Sequence, residues 1–241
     1  MSEIESNVLL TGESGTGKEL VAEAIHNSSK KRRGNPYIAI NCAAIPDSIL
    51  ESESFGYVKG VFTSAVRDKN GLFEAADKGT LFMDEIGDDT AQFQSKLLRV
   101  IESKEIRRVA DTSAKQVDVR IIAATNKDIA KMALDGNFRS DLFYRLSVID
   151  IKITPLRDRK EDIPLLLEYF LKDSVRQMGK NVTGISGEAK KILSAYDWPG
   201  NVRELKNSIE RAVALTNNIV LNAEDFLLAQ DHFRRRANAK N

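Results

Sequence analysis

Between a short apolar run, Asn7 to Leu10, and a segment with helical spacing, Glu19 to Asn27, the chain reads Gly12-Glu13-Ser14-Gly15-Thr16-Gly17-Lys18. A glycine-rich loop of this kind lets backbone N–H groups turn inward on the β- and γ-phosphates of a nucleotide. Lys18 adds a mobile positive charge, and the following helix presents its positive end. The alternative, a glycine-rich turn with no ligand, is weakened because strand, loop and helix are all in place. Spacing gives the helix an apolar face through Leu20, Ala24 and Ile25. Glu19 stands where Ser or Thr commonly helps hold magnesium, so any metal must depend more on other oxygens.

Those oxygens come from Gly79-Thr-Leu-Phe-Met-Asp-Glu-Ile-Gly-Asp-Asp89. Leu81 to Met83 reads as a strand buried on both faces of a parallel sheet. It delivers Asp84 and Glu85 to the carboxyl edge, where ligands of such sheets bind. A buried strand ending in an acidic turn is common on its own. Joined to the upstream loop, it specifies a nucleotide-and-metal site with Asp84 as metal ligand.

Composition narrows the remaining classes. With 241 residues the chain can bury one large domain and a small one, and its formal charge of +1 gives no global pull toward nucleic acid or membrane. No apolar segment approaches a membrane span and the first residues lack a signal-peptide pattern, so the expected location is cytoplasmic. A single cysteine, Cys42, excludes internal disulfides, and with His26 and His232 alone no structural zinc site can be assembled.

Taken in order, Tyr37 to Asn41 reads as a second strand, with Asn41 a plain strand-end residue, and Pro46 opens a helix through Ile49. The stretch Phe55 to Ala65 is apolar with two glycines; it either packs on its own domain or is displayed for a partner. Phe93, Leu97, Leu98 and Ile101 mark an amphipathic helix over 91–102, and Ile106 to Val109 pairs with Gln116 to Val119 in a hairpin. Arg120 to Thr125 is a fourth strand ending at Asn126. A polar residue there can orient water beside a γ-phosphate, or Thr125 or Asn126 can cap a helix. Phe138 to Leu146 is a helical turn carrying Arg139 and Arg145, which read locally as solvated or salt-bridged. Ser147 to Ile153 is the fifth strand.

At Pro155 the pattern changes. Leu156 to Asp162 is charged and irregular, no strand pattern returns, and three helical faces follow: Ile163, Leu166, Leu167, Phe170; Ala189, Ile192, Leu193; and Val202, Leu205, Ile209, Ala212, Val213. Trp198-Pro-Gly-Asn201 is a turn with Asn201 as N-cap. Arg203 in the next helical turn is disfavoured by the helix dipole, so it calls for an anionic partner, either Glu204 or a nucleotide phosphate.

Five ordered motifs, Gly12-Glu-Ser-Gly-Thr-Gly-Lys-Glu19, Asn41-Cys-Ala-Ala, Gly79-Thr-Leu-Phe-Met-Asp-Glu-Ile-Gly, Phe138-Arg-Ser-Asp-Leu-Phe-Tyr-Arg-Leu and Trp198-Pro-Gly-Asn-Val-Arg-Glu-Leu, resemble the AAA+ domain of bacterial enhancer-binding proteins, the NtrC-like activators of sigma-54 RNA polymerase. The resemblance runs from about residue 7 to 228. It implies a three-layer α/β AAA+ domain with a parallel sheet over 1–157, a small all-helical lid over 158–228 and a loose basic tail over 229–241. It further implies a hexameric ring binding ATP and Mg2+ at subunit boundaries. In that frame Gly12 to Gly17 and Lys18 bind phosphate, Glu19 is the residue favoured after the lysine, and Asp84 organises magnesium. Glu85 polarises the attacking water, Asn41 switches Glu85 between positions, Asn126 senses the γ-phosphate and Arg203 contacts nucleotide. Arg139 and Arg145 act as fingers in a neighbour's site. The loop Gly60-Val61-Phe62-Thr63-Ser64-Ala65 stands where the family reads Gly-Ala-Phe-Thr-Gly-Ala and meets sigma-54. Only about six residues precede the first strand, where the family has a helical stretch that helps enclose adenine. The chain looks like the isolated motor of a longer protein, with no direct DNA binding or membrane contact expected.

Two function classes follow. In one, ATP hydrolysis drives the loop against sigma-54. In the other, the ring is a nucleotide-controlled oligomerisation module that no longer engages it. A P-loop kinase is disfavoured by the lid and by Glu85, which suits water activation.

Overall fold

The structure, a computed structural model, describes residues 5–62 and 65–226. Thr63, Ser64 and the expected basic tail lie outside the described residues. Two compact units form, one from Met1–Gly12 with Lys18–Ile153, the other from Glu13–Gly17 with Thr154–Asn241.

The first unit is a five-stranded sheet built from β1 (Val8–Thr11), β2 (Tyr37–Asn41), β3 (Thr80–Asp84), β4 (Arg120–Thr125) and β5 (Ile149–Lys152), in the spatial order β2, β3, β4, β1, β5. All pairings are parallel. Side chains alternate faces along a strand, so Leu81 and Met83 enter one core with Leu9, Ile121 and Ala123. Phe82 enters the opposite core with Val8, Leu10, Ile122 and Ala124. β4 is buried at all six positions. This double burial explains why β3 and β4 read as continuous apolar runs without alternation.

Helix α1 (Lys18–Asn27) covers the second face, but its predicted stripe is corrected. Lys18, Ala22 and His26 are buried and Ile25 packs half-buried beside them, whereas Leu20 is 68% exposed and Ala24 is exposed. The Lys18 ammonium donates to Gly12 O at 2.9 Å, and Val21, Ala22 and Ile25 form the stripe that meets the sheet. The helix opened by Pro46 runs further than predicted, as α2 (Asp47–Phe55), and α3 spans Ala91–Ser103. The hairpin is shorter than expected: only Glu105–Ile106 and Lys115–Gln116 pair, while Val109 bridges to Tyr57. Two shorter helices, α4 (Ile129–Leu134) and α5 (Ser140–Leu146), complete the unit. Thr125 and Asn126 do not cap α4; Asp128 does, accepting from Lys131 N at 3.0 Å.

In the second unit α6 (Ile163–Met178), α7 (Gly187–Ala195) and α8 (Asn201–Leu215) bury Leu156, Leu167, Leu193, Trp198, Leu205 and Ile209 in one core. A strand pattern does return here: Gly184–Ile185 and Val220–Leu221 form a two-residue parallel pair, too short to produce a sequence period. Trp198, fully buried, donates Nε1–H to Leu193 O at 2.9 Å and meets the Tyr196 ring edge-on.

Candidate functional site

In the first unit β3, β4 and β1 are consecutive neighbours, so the ends of three adjacent strands carry Asp84 with Glu85, Asn126, and Gly12 to one edge. Asp84 ends β3 opposite Asn41 of β2. Its Oδ1 accepts from the Glu85 amide at 3.1 Å. Glu85 lies in the left-handed region, φ 58° and ψ 43°, a conformation that costs a non-glycine residue and clusters at functional sites. Its Oε2 accepts from the Asn126 backbone N–H at 3.3 Å. Asn41, proposed from resemblance as the Glu85 switch, is exposed and makes no hydrogen bond through its side chain among the described residues.

Arg139 is the residue before α5, and Arg145 lies in its last turn. Arg139 forks onto Asp141, Nε to Oδ1 at 3.0 Å and Nη2 to Oδ2 at 2.7 Å, and reaches Ser95 Oγ. Arg145 lies 3.4 Å from Glu102 with its side chain largely in water. Buried Gln94, which sequence reasoning missed, accepts from Arg139 N and donates to Asp89 O, both at 2.9 Å. It links the segment after Glu85 to the start of α5. A polar residue on the buried stripe of α3, one position after Phe93, is the signal that could have found it.

Within the second unit the phosphate loop is clasped from several directions. Gly15 has φ +78°, and a Cβ there would come within 2.5 Å of Gly200 O and 3.0 Å of Arg203 Cβ. Glycine is therefore required twice over, by backbone conformation and by close approach. Arg203 donates to Ser14 Oγ at 3.0 Å and its backbone N–H to Gly15 O at 3.2 Å. Its partner is thus the loop, not Glu204, whose carboxylate accepts from Gly200 N at 2.8 Å. Asn201 is no N-cap. Its Oδ1 accepts from Leu156 N, and its Nδ2 donates to Glu13 Oε2 and Ser14 O. Arg157 forks onto Glu13, and Arg159 donates to Thr16 O at 2.9 Å. These two arginines were read as an irregular charged stretch; Leu-Arg-Asp-Arg-Lys directly ahead of a helix was the available signal.

Gly56–Tyr57 and Lys69–Asn70, on either side of the predicted loop in sequence, form a two-residue antiparallel pair. Gly60 N donates to Ala65 O at 2.9 Å, and Ala65 is buried. Phe62 is 42% exposed with its ring 4.8 Å from Tyr57. Val61 is half-buried.

A parallel sheet with a glycine-rich loop leaving its first strand, and paired acids at the end of the strand two places away, define a P-loop nucleotide-binding protein. Residues 1–152 match the family described as the Sigma-54 interaction domain, and residues 157–241 match the AAA+ ATPase lid domain. The chain belongs to the sigma-54 interaction domain family. It is 54% identical over 218 residues to the DNA-binding transcriptional activator HyfR of Escherichia coli (strain K12), covering 90% of this chain and 32% of that protein. It is 49% identical over 221 residues to the regulatory protein AtoC of the same organism, covering 92% and 48%. The chain thus spans about a third to a half of these relatives. NtrX from Brucella abortus, crystallised in complex with ADP, superposes with a TM-score of 0.86 at 37% identity, over 94% of this chain and 50% of that one. Among the described residues no helix is long and apolar enough to cross a membrane.

Proposed function

We propose that this chain is an ATP-hydrolysing motor that remodels sigma-54 RNA polymerase closed complexes. The observation that carries the reading is the delivery of Gly12, Asp84 with Glu85, and Asn126 to one sheet edge by three adjacent strands. Residues 1–157 serve as the nucleotide-binding domain, 158–228 as the lid.

Gly12 to Gly17 cradle the phosphates, Lys18 neutralises them, and Glu19 follows on the exposed first turn of α1. Arg203, already on Ser14, exchanges that hydroxyl for nucleotide. Asp84 suits Mg2+. Among the described residues no cluster of three His, Cys, Asp or Glu offers a protein-only cage, and magnesium is typically held by one or two carboxylates with water and phosphate oxygens. When bound, the ion offsets phosphate charge.

Glu85 orients and deprotonates the attacking water, and the Asn126 amide holds its carboxylate in position. Asn41, level with Asp84 on the next strand, offers a second donor when Glu85 swings. Arg139 and Arg145 stabilise charge on a neighbouring subunit's γ-phosphate in a self-assembled, hexameric ring. The loop Gly60 to Ala65, with Phe62 and Thr63 foremost, engages sigma-54. Nothing in the chain's +1 charge favours DNA as a direct partner, and the setting of such a motor is the bacterial cytoplasm.

The test is to measure ATP turnover by the purified chain and its capture of sigma-54 with ADP and aluminium fluoride. Turnover with nucleotide-dependent capture is expected. Turnover without capture in any nucleotide state would replace the reading with a nucleotide-controlled oligomerisation module.

A further inference from the structure

Glu13 places a negative charge in a loop that receives phosphates. Its carboxylate takes both arms of Arg157, Nη2 to Oε1 at 2.6 Å and Nη1 to Oε2 at 2.9 Å, while Asn201 Nδ2 donates to Oε2 at 3.1 Å. Fork-on-fork pairing of this kind is directional as well as strong. Arg157, then Asn201, hold the Glu13 carboxyl down to about 2, so the pair stays ionised through the neutral range. The backbone at Arg157 is anchored, while the paired side chains of Arg157 and Glu13 stay 41% and 44% exposed. It lies in the turn Leu156–Asp158, where Leu156 is fully buried and donates its N–H to the buried Asn201 Oδ1 at 2.8 Å. The same Asn201 side chain holds Ser14 O at 3.1 Å.

We propose that Arg157 is a positioning residue that balances the charge of the phosphate loop. By occupying Glu13 it removes the repulsion a bare carboxylate would exert on a nucleoside triphosphate, and it ties phosphate affinity to the turn that opens the helical unit. This rests on the reading that Gly12 to Lys18 hold phosphates. A simple mechanical strap predicts something different, because a strap broken at one end is not mended by cutting the other.

Titration of the whole chain with a fluorescent ATP analogue at low salt distinguishes the two. Arg157→Ala should lose affinity by roughly three- to tenfold, the scale of one uncompensated unit charge several ångströms from phosphate in partly solvated surroundings. Glu13→Gln should tighten binding, since Arg157 is then left facing the phosphates. The double variant should return to the affinity of the unaltered chain. The Arg157→Ala deficit should shrink as salt is raised, as screening requires.

A double variant as weak as Arg157→Ala, or an Arg157→Ala chain that binds normally, overturns the proposal. Should Arg157→Ala fail to fold, Glu13→Gln decides alone, with unchanged or weaker binding counting against it. Lys18→Ala separates the underlying reading. If the unaltered chain binds no better than that variant, the phosphate-loop assignment fails and the charge balance falls with it.

Discussion

Asn126 donates its backbone N–H to Glu85 Oε2 at 3.3 Å, so the acid that follows β3 is held by the residue that follows β4. The bond is long for an N–H to oxygen contact, and it places the carboxylate without locking it. The left-handed backbone at Glu85 lifts the residue out of the line of the strand, whereas Asp84 stays in register with Asn41. Two adjacent acids thereby reach different surroundings, which is what separate metal and water-activating roles require.

If Glu85 deprotonates water, Glu85→Gln keeps the size of the side chain and loses the base. Turnover should fall by roughly two to four orders of magnitude while ATP binding persists. Steady-state hydrolysis and an equilibrium nucleotide titration on the same preparation check this. Near-normal turnover would assign the carboxylate to the turn alone.

Arg145 sits on the surface, 3.4 Å from Glu102 and largely in water, a pairing weak enough to exchange for a phosphate. Arg145→Ala should abolish hydrolysis without impairing nucleotide binding, as should Arg139→Ala, whose tight fork on Asp141 must open first. Mixing Arg145→Ala with Lys18→Ala subunits should restore part of the activity, because a boundary with both intact parts can form. Mixed rings that stay inactive at every ratio would remove the in-trans role.

The strands and the phosphate loop were legible because double burial and glycine spacing leave local signals in the sequence. What stayed hidden depends on distant partners. Leu20 has the right spacing for a core face, yet the stripe through Val21, Ala22 and Ile25 is the one that packs on the sheet, which leaves Leu20 in water. Asn201 has the chemistry of an N-cap, yet residues 13, 14 and 156 claim its side chain. Arg157 and Arg159 sit in a stretch that reads only as charged and irregular, because their partners lie some 140 positions away in the chain. Asp89, one more acid in an acidic turn by sequence, is buried.

The loop Gly60 to Ala65 gives a third expectation. Val61 is stiffer at χ1 than alanine, and serine resists backbone conformations open to glycine. Val61→Ala with Ser64→Gly should therefore increase sigma-54 capture in the presence of ADP and aluminium fluoride and leave the ATPase rate nearly unchanged, since neither position belongs to the nucleotide site. Full capture by the unaltered chain, with no gain in the double variant, would show that the loop is competent as it stands.

Asp89 follows the turn Ile86–Asp88 and precedes Thr90, the N-cap of α3. Burial pushes its carboxyl up to about 7, helped by Asp47 and Asp88, and neither oxygen has a hydrogen-bond partner of good geometry. The adjoining Cys42 thiol, itself pushed up by burial, opposes the rise more than either neighbouring acid adds to it, and burial outweighs it. The folded value lies above the unfolded one, near 3.9, so the folded state binds the proton more tightly. Stability should therefore fall as pH rises from about 4 to 7, by an amount bounded at about 4 kcal/mol for a shift of three units. Water entry and side-chain rotation would reduce it. Glu13 and Asp118, each held near 2, lose their contributions only as pH drops below about 4, outside this window. Buried His26, its value lowered chiefly by burial, acts in the opposite sense, so the comparison must be made against Asp89→Asn. Urea unfolding of both chains between pH 5 and about pH 8 should show the variant gaining on the parent as pH rises, by about 1–3 kcal/mol at the upper end. Parallel pH profiles for the two chains would mean that Asp89 stays ionised in the fold and finds a partner that neutralises it.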